Sequence, residues 1–159
     1  VKAESDYKTT TPIEIITETE KSKSQSSASH YEYNAIQLTR FAIHQLYSPE
    51  RLQKNSAGIV RTPMHTHKTV PLFYGASIEA HPIASWRSNY LYVTAVELKN
   101  LLNKSISLKP KDLLGNWQTA SFYPSHHLKP RSQHQSTTVF LVSDKPFSES
   151  LKDIERYHR

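Results

Sequence analysis

The chain has 159 residues, enough for one ordinary domain and too few for two unless both are small. Hydrophobic residues make up 36% and only three glycines are present, which excludes a collagen-like chain and implies that part of the sequence is too polar to pack. With no cysteine, disulfides, thiolate zinc sites and cysteine nucleophiles are excluded together.

The formal charge of +6 is unevenly placed: residues 1–33 hold four lysines against six carboxylates, net −2, so the remainder carries +8. A basic body favours acidic partners such as nucleic acid, anionic headgroups or an acidic protein surface, and charge alone does not choose among them. No run approaches the roughly 18 to 20 apolar residues of a membrane-spanning helix, and no charged-then-apolar leader opens the chain. A start at Val1 is what a processed or trimmed product would give.

In chain order, Pro12–Ile16 (PIEII) has the β-branched character of one short strand, which cannot stand alone in water and is expected to end a β domain upstream. Residues 17–33 are rich in Ser, Glu, Lys and Thr, with no aliphatic side chain larger than alanine, and are expected to form a flexible linker. The third part, residues 34–159, is expected to be the folded domain.

That domain opens on a helix. Asn34 is a good N-cap, Gln37 stands in capping-box position, and Leu38, Phe41, Ala42, Gln45 and Leu46 fall on one stripe that ends near Tyr47 or Ser48, before Pro49. Residues 50–75 read as irregular, interrupted by Pro63 and Pro71. Strands are expected at Ser77–Arg87 and Tyr90–Asn100, joined by Ser88-Asn89 as a hairpin, with Pro82 demoting the first to an edge or bulged strand. In the second, Tyr92, Thr94, Val96 and Leu98 share one face while Glu97 and Lys99 point to water.

Further strands are expected at Ser105–Leu108, Trp117–Tyr123 and Thr137–Ser143, followed by an amphipathic helix capped by Ser148 that turns Leu151 and Ile154 inward. Five short strands at this spacing imply a sandwich or barrel, and the chain is read as mainly β, an antiparallel β-sandwich with a short helix at each end. Trp86 and Trp117 are both expected in the core, Trp117 more firmly.

Four histidines invite a metal reading, because His65 and His67 would share one side of an extended segment and His126 with His127 could add imidazoles. Their spacing matches no established ligand pattern and no carboxylate lies near either pair, so they read as solvated or hydrogen-bonding side chains. No serine sits in a nucleophile elbow, Asp112 and Asp144 are isolated, and no phosphate-cradling glycine loop exists. No catalytic, cofactor-binding or metal residue is assigned, and the chain is not read as an enzyme.

Between Lys99 and Arg131, Lys99, Lys104, Lys109, Lys111, Lys129 and Arg131 face Asp112 alone, with Trp117, Phe122 and Tyr123 interleaved. This suits a basic module for single-stranded nucleic acid. The opposing reading is stronger, because aromatics on alternating strands are usually core and lysines at turns discourage edge pairing.

The runs LTRFAIHQLYSPERL (Leu38–Leu52), ASWRSNYLYVTAVELKN (Ala84–Asn100), LKPKDLLGNWQTASFYP (Leu108–Pro124) and STTVFLVSDKPFSESL (Ser136–Leu151) together resemble the TraK-like proteins of integrating conjugative elements. The likeness spans about 115 of the 159 residues in unchanged order, and its specificity lies in the collinear set rather than in any one piece. It implies a structural subunit of a conjugative type IV secretion system, exported to the periplasm and built into the outer-membrane-associated core complex. Implied partners are a TraV-like outer-membrane lipoprotein and a TraB-like channel protein, within a ring of like subunits. The resemblance places Val1–Ile16 at the end of an N-terminal β domain whose leader and greater part would lie upstream, and it carries over no catalytic residue. The helix Asn34–Tyr47 and the edge strand near Ile78–Trp86 are the candidate partner surfaces, with closure of the domain's own core as the equal alternative for both.

Overall fold

Alternation of β-branched and aromatic side chains with small polar ones dominates the chain from Ile78 to Ser143, and in the computed structural model this stretch supplies most of an antiparallel sheet. Residues 33–49, 57–75 and 77–153 are described, all within the unit Tyr33–Arg159. The expected strand Pro12–Ile16, nearly all of the expected linker, and Ile154 lie outside the described residues.

Helix α1 spans Ala35–Tyr47. It starts where expected: the Asn34 side chain accepts from the Gln37 amide at 2.8 Å and the Gln37 side chain accepts from the Asn34 amide at 2.9 Å, which satisfies two donors that a helix start leaves orphaned. Seven strands follow: β1 Val60–Thr62, β2 Ile78–Ser88, β3 Leu91–Asn100, β4 Ile106–Ser107, β5 Thr119–Tyr123, β6 His127–Leu128 and β7 Ser136–Ser143. Helix α2, Phe147–Lys152, completes the described chain. Five strands form one sheet in the order β1-β2-β3-β7-β5, and β4 pairs with β6 in a second, two-stranded sheet. The fold is mainly β and antiparallel with a short helix toward each end, as the sequence predicts, and its two sheets are very unequal.

The main sheet is buried on both faces. On one, Ala84, Trp86, Val93, Ala95, Phe140 and Val142 pack beneath Leu38 and Ala42 of α1, with Phe41 edge-on to Trp86 at 6.2 Å between ring centres. On the other, Ala80, Val96, Leu98, Val139 and Leu141 meet Leu72, Phe73, Leu108, Leu113, Leu128 and Phe147. Each fully buried aliphatic or aromatic side chain stabilises the fold by about 1.5–3 kcal/mol before entropy is counted. Strands β3 and β7, central in the sheet, carry most of this burial.

Several details differ from expectation for identifiable reasons. Strand β3 does not divide into a packed and a wet face: α1 covers Val93 and Ala95, and only its Glu97–Lys99 end opens outward. Trp86 is the firmly buried tryptophan, 4% exposed beneath α1, whereas Trp117 precedes β5 and is half-buried. There Trp117 stacks on Phe147 at 5.5 Å and donates its indole N–H to the Leu114 carbonyl at 2.7 Å. Gly115 permits this, because its φ of 105° is strained for other residues and a Cβ there would lie 2.7 Å from the Trp117 ring. Pro146, not Ser148, stands at the start of α2. The hairpin turn is Asn89-Tyr90, one residue later than expected, with Asn89 at positive φ.

Candidate functional site

Two surfaces stand out, and the first begins with prolines. Strand β1 pairs with Arg87, Trp86 and Ser85 of β2 and stops after Thr62, because Pro63 has no N–H to continue the ladder. The chain then arches away and returns at Val70, whose amide donates to the Ala80 carbonyl at 2.9 Å. Opposite this arch, β2 shifts register between Pro82 and Ala84, the bulge that Pro82 predicts. Strand β2 is not the sheet edge. Strand β1 takes that place, with its outer edge unpaired among the described residues.

Between the arch, β2, β3 and α2 lies a groove of about 550 Å³. Its floor is Val70, Pro82, Ser85 and Tyr92, and its walls are Met64 on one side and Phe147 and Leu151 on the other. Met64, Val70, Tyr92 and Leu151 are half-buried, so apolar side chains remain partly uncovered there. The Ser85 hydroxyl in the floor is already engaged: it lies 2.9 Å from that of Thr94 and donates to the Val93 carbonyl at 3.2 Å. The exposed basic or imidazole side chains His65, Arg87 and Lys152 stand at the rim, and among the described residues that line the groove none is acidic.

The second surface is the lysine-bearing lobe, and a buried side chain organises it. Asn100, 3% exposed at the end of β3, donates from Nδ2 to the carbonyls of Lys104 and Lys129 at 2.7 and 3.0 Å. Its Oδ1 accepts from the Leu102 amide at 2.8 Å, and the Arg131 amide donates to the Leu102 carbonyl at 2.8 Å. These bonds hold together the two loops that carry Lys104, Lys129 and Arg131, with all three side chains exposed. A depression of about 450 Å³ beside them is lined by Lys99 and Arg131 but also by Glu79 and Glu97, so its charge is mixed.

The aromatic residues interleaved with these lysines in the sequence are directed elsewhere. Trp117 and Phe122 pack against the core cluster opposite α1. Tyr123 lies against Tyr47 of α1 at 4.8 Å between ring centres. Phosphate-pairing charge is present on the lobe, and the expected stacking platform is not built from these three rings.

A family described as a protein of unknown function, DUF3438, matches residues 1–158. The chain belongs to the DUF3438 family. No curated protein matches it.

In this DUF3438 member the remaining candidates are dispersed. His65 and His67 lie on the exposed arch after β1, while His126 and His127, at the start of β6, lie against each other with ring centres 3.9 Å apart and planes tilted by 41°. Among the described residues no three His, Cys, Asp or Glu side chains converge as a metal site would require. Asp112 ends a 3-10 turn, where its backbone carbonyl accepts from the Tyr74 amide at 3.2 Å. Among the described residues no helix is long and apolar enough to cross a membrane. The groove and the role of Asn100 were missed in the sequence; the closely spaced Pro63 and Pro71 were the signal available for the first, and an asparagine closing a strand before a lysine-bearing turn for the second.

Proposed function

We propose that this DUF3438 protein is a structural component of a conjugative type IV secretion system in the bacterial envelope. It belongs, on this reading, to the periplasmic, outer-membrane-associated core complex that serves DNA transfer by an integrating conjugative element. There it assembles in a ring with a TraV-like lipoprotein and a TraB-like channel protein. The resemblance of four collinear segments motivates the assignment. The single structural observation that supports it best is the basic-rimmed apolar groove beside a sheet edge, a surface of the kind that takes up protein segments. The hydroxyl and amide groups of Ser85, Thr94 and Asn100 engage neighbouring backbone or one another, which suits a scaffold better than a catalyst. The alternative of a single-stranded nucleic-acid module has the lysine lobe in its favour and lacks the aromatic face.

The test is genetic and biochemical together. Deleting the gene in a donor strain is expected to abolish transfer of the element without affecting its replication, and the tagged protein is expected to co-purify with outer-membrane channel subunits. Undiminished transfer from the deletion strain would refute the assignment. A nucleic-acid module would instead retard oligonucleotides with a steep dependence on salt.

A further inference from the structure

We infer that the groove between the Pro63–Val70 arch and α2 is a docking site for a short extended segment of another protein, one that alternates apolar side chains with carboxylates. The inference rests on the assembly reading and adds the chemistry of the segment recognised. An extended chain fits for two reasons. Strand β1 ends the sheet, and among the described residues its outer backbone edge has no neighbour, so a further strand can pair there. Val60 and Thr62 face the same side of the sheet as Ser85 and Arg87, their partners in register, and Ser85, Arg87 and Thr62 line the groove. Alternate side chains of an added strand would therefore lie on the groove's face of the sheet, where Met64, Val70, Tyr92 and Leu151 leave apolar surface incompletely covered.

Charge selects the character of the rest. Arg87 on β2 and Lys152 on α2 stand exposed in the lining, His65 lies on the arch, and among the described residues no carboxylate lines the groove. A lysine-bearing segment would meet like charge at both elements, and a wholly apolar one would leave the rim unpaired. Carboxylates on alternate residues pair with the rim while the apolar residues fill the floor. The ion pair between Lys145 and Asp153, at 3.1 Å, does not remove this charge, because neither residue is among those lining the groove.

The experiment uses the full 159-residue chain and two blocked eight-residue peptides, one alternating valine with glutamate and the other valine with lysine. Amide and methyl NMR shifts are followed during titration, with anionic phosphatidylglycerol vesicles as a third arm and sedimentation at rising protein concentration as a fourth. Expected are shifts confined to Thr62, Met64, Val70, Tyr92 and Leu151 with the glutamate peptide, and at least tenfold weaker binding of the lysine peptide. The double variant Arg87→Glu, Lys152→Glu changes only exposed side chains and should reverse that preference while leaving the unliganded spectrum dispersed. Equal binding of both peptides would overturn the inference, as would shifts located away from the groove. So would binding to vesicles alone, or self-association through these residues with no peptide response. None of these outcomes touches the gene-deletion test, so the groove and the assembly reading fail separately.

Discussion

The two faces of the main sheet bury comparable sets of aliphatic and aromatic side chains but are covered in different ways. One lies beneath a single thirteen-residue helix, α1, whose capping box and apolar stripe make it a continuous lid over Trp86, Val93, Ala95 and Phe140. The other is roofed by pieces: the Leu72–Phe73 segment, the two-residue strands β4 and β6, 3-10 turns and the six-residue α2. A continuous lid closes its face, while a patchwork leaves a gap where two pieces fail to meet. The groove at Pro82, Tyr92 and Leu151 is that gap. Stability is therefore expected to concentrate under α1 and in the central strands, and recognition on the patched face.

Substitutions can break or sharpen this contrast. The largest effect is expected from Phe140→Ala, which empties a fully buried site under α1 and should cost about 3–5 kcal/mol in urea unfolding; a cost below about 1 kcal/mol would mean that this face is loosely closed. Asn100→Ala comes next. It removes three hydrogen bonds that organise the patched side, with an expected loss of about 1–3 kcal/mol and faster amide exchange at Leu102. Unchanged exchange there would show that the loops hold together without it. Asn34→Ala should cost about 1 kcal/mol through the lost cap, read from the thermal midpoint and from helix content near 222 nm. The smallest effect belongs to Lys152→Glu at the groove rim, expected within about 0.5 kcal/mol of the parent because the side chain is exposed. A large loss there would make the rim part of the core and contradict its role in recognition.

What could be read from the sequence follows the same division. The start of helix α1 was legible to the residue, since Asn34 and Gln37 form a local signal that tertiary context only reinforces. Strands β2, β3 and β7 were legible because each runs over eight or more residues rich in β-branched, aromatic or other apolar side chains. The patched side was legible only in part: β4 falls within the expected strand Ser105–Leu108 and α2 within the expected C-terminal helical stretch. Strands β1 and β6, of three and two residues, are too short to display a period, and pairing on this side depends on contacts distant in sequence, such as Ile106 with Leu128. Trp117 misled for a related reason: its neighbours read as strand, yet Gly115 turns the chain so that the ring lies over Phe147 before β5 begins. The candidate groove was invisible because it is made by what the roof omits. Residues from the arch, three strands and α2 converge there, and no local pattern announces that convergence.

The most direct test of docking on the patched face is photo-crosslinking in donor cells, with a photoreactive residue at Met64 in the groove or at Ile36, exposed on α1. Expected are abundant adducts between position 64 and an envelope protein, and few or none from position 36. Adducts from position 36 alone, or none from position 64 while transfer proceeds normally, would contradict it.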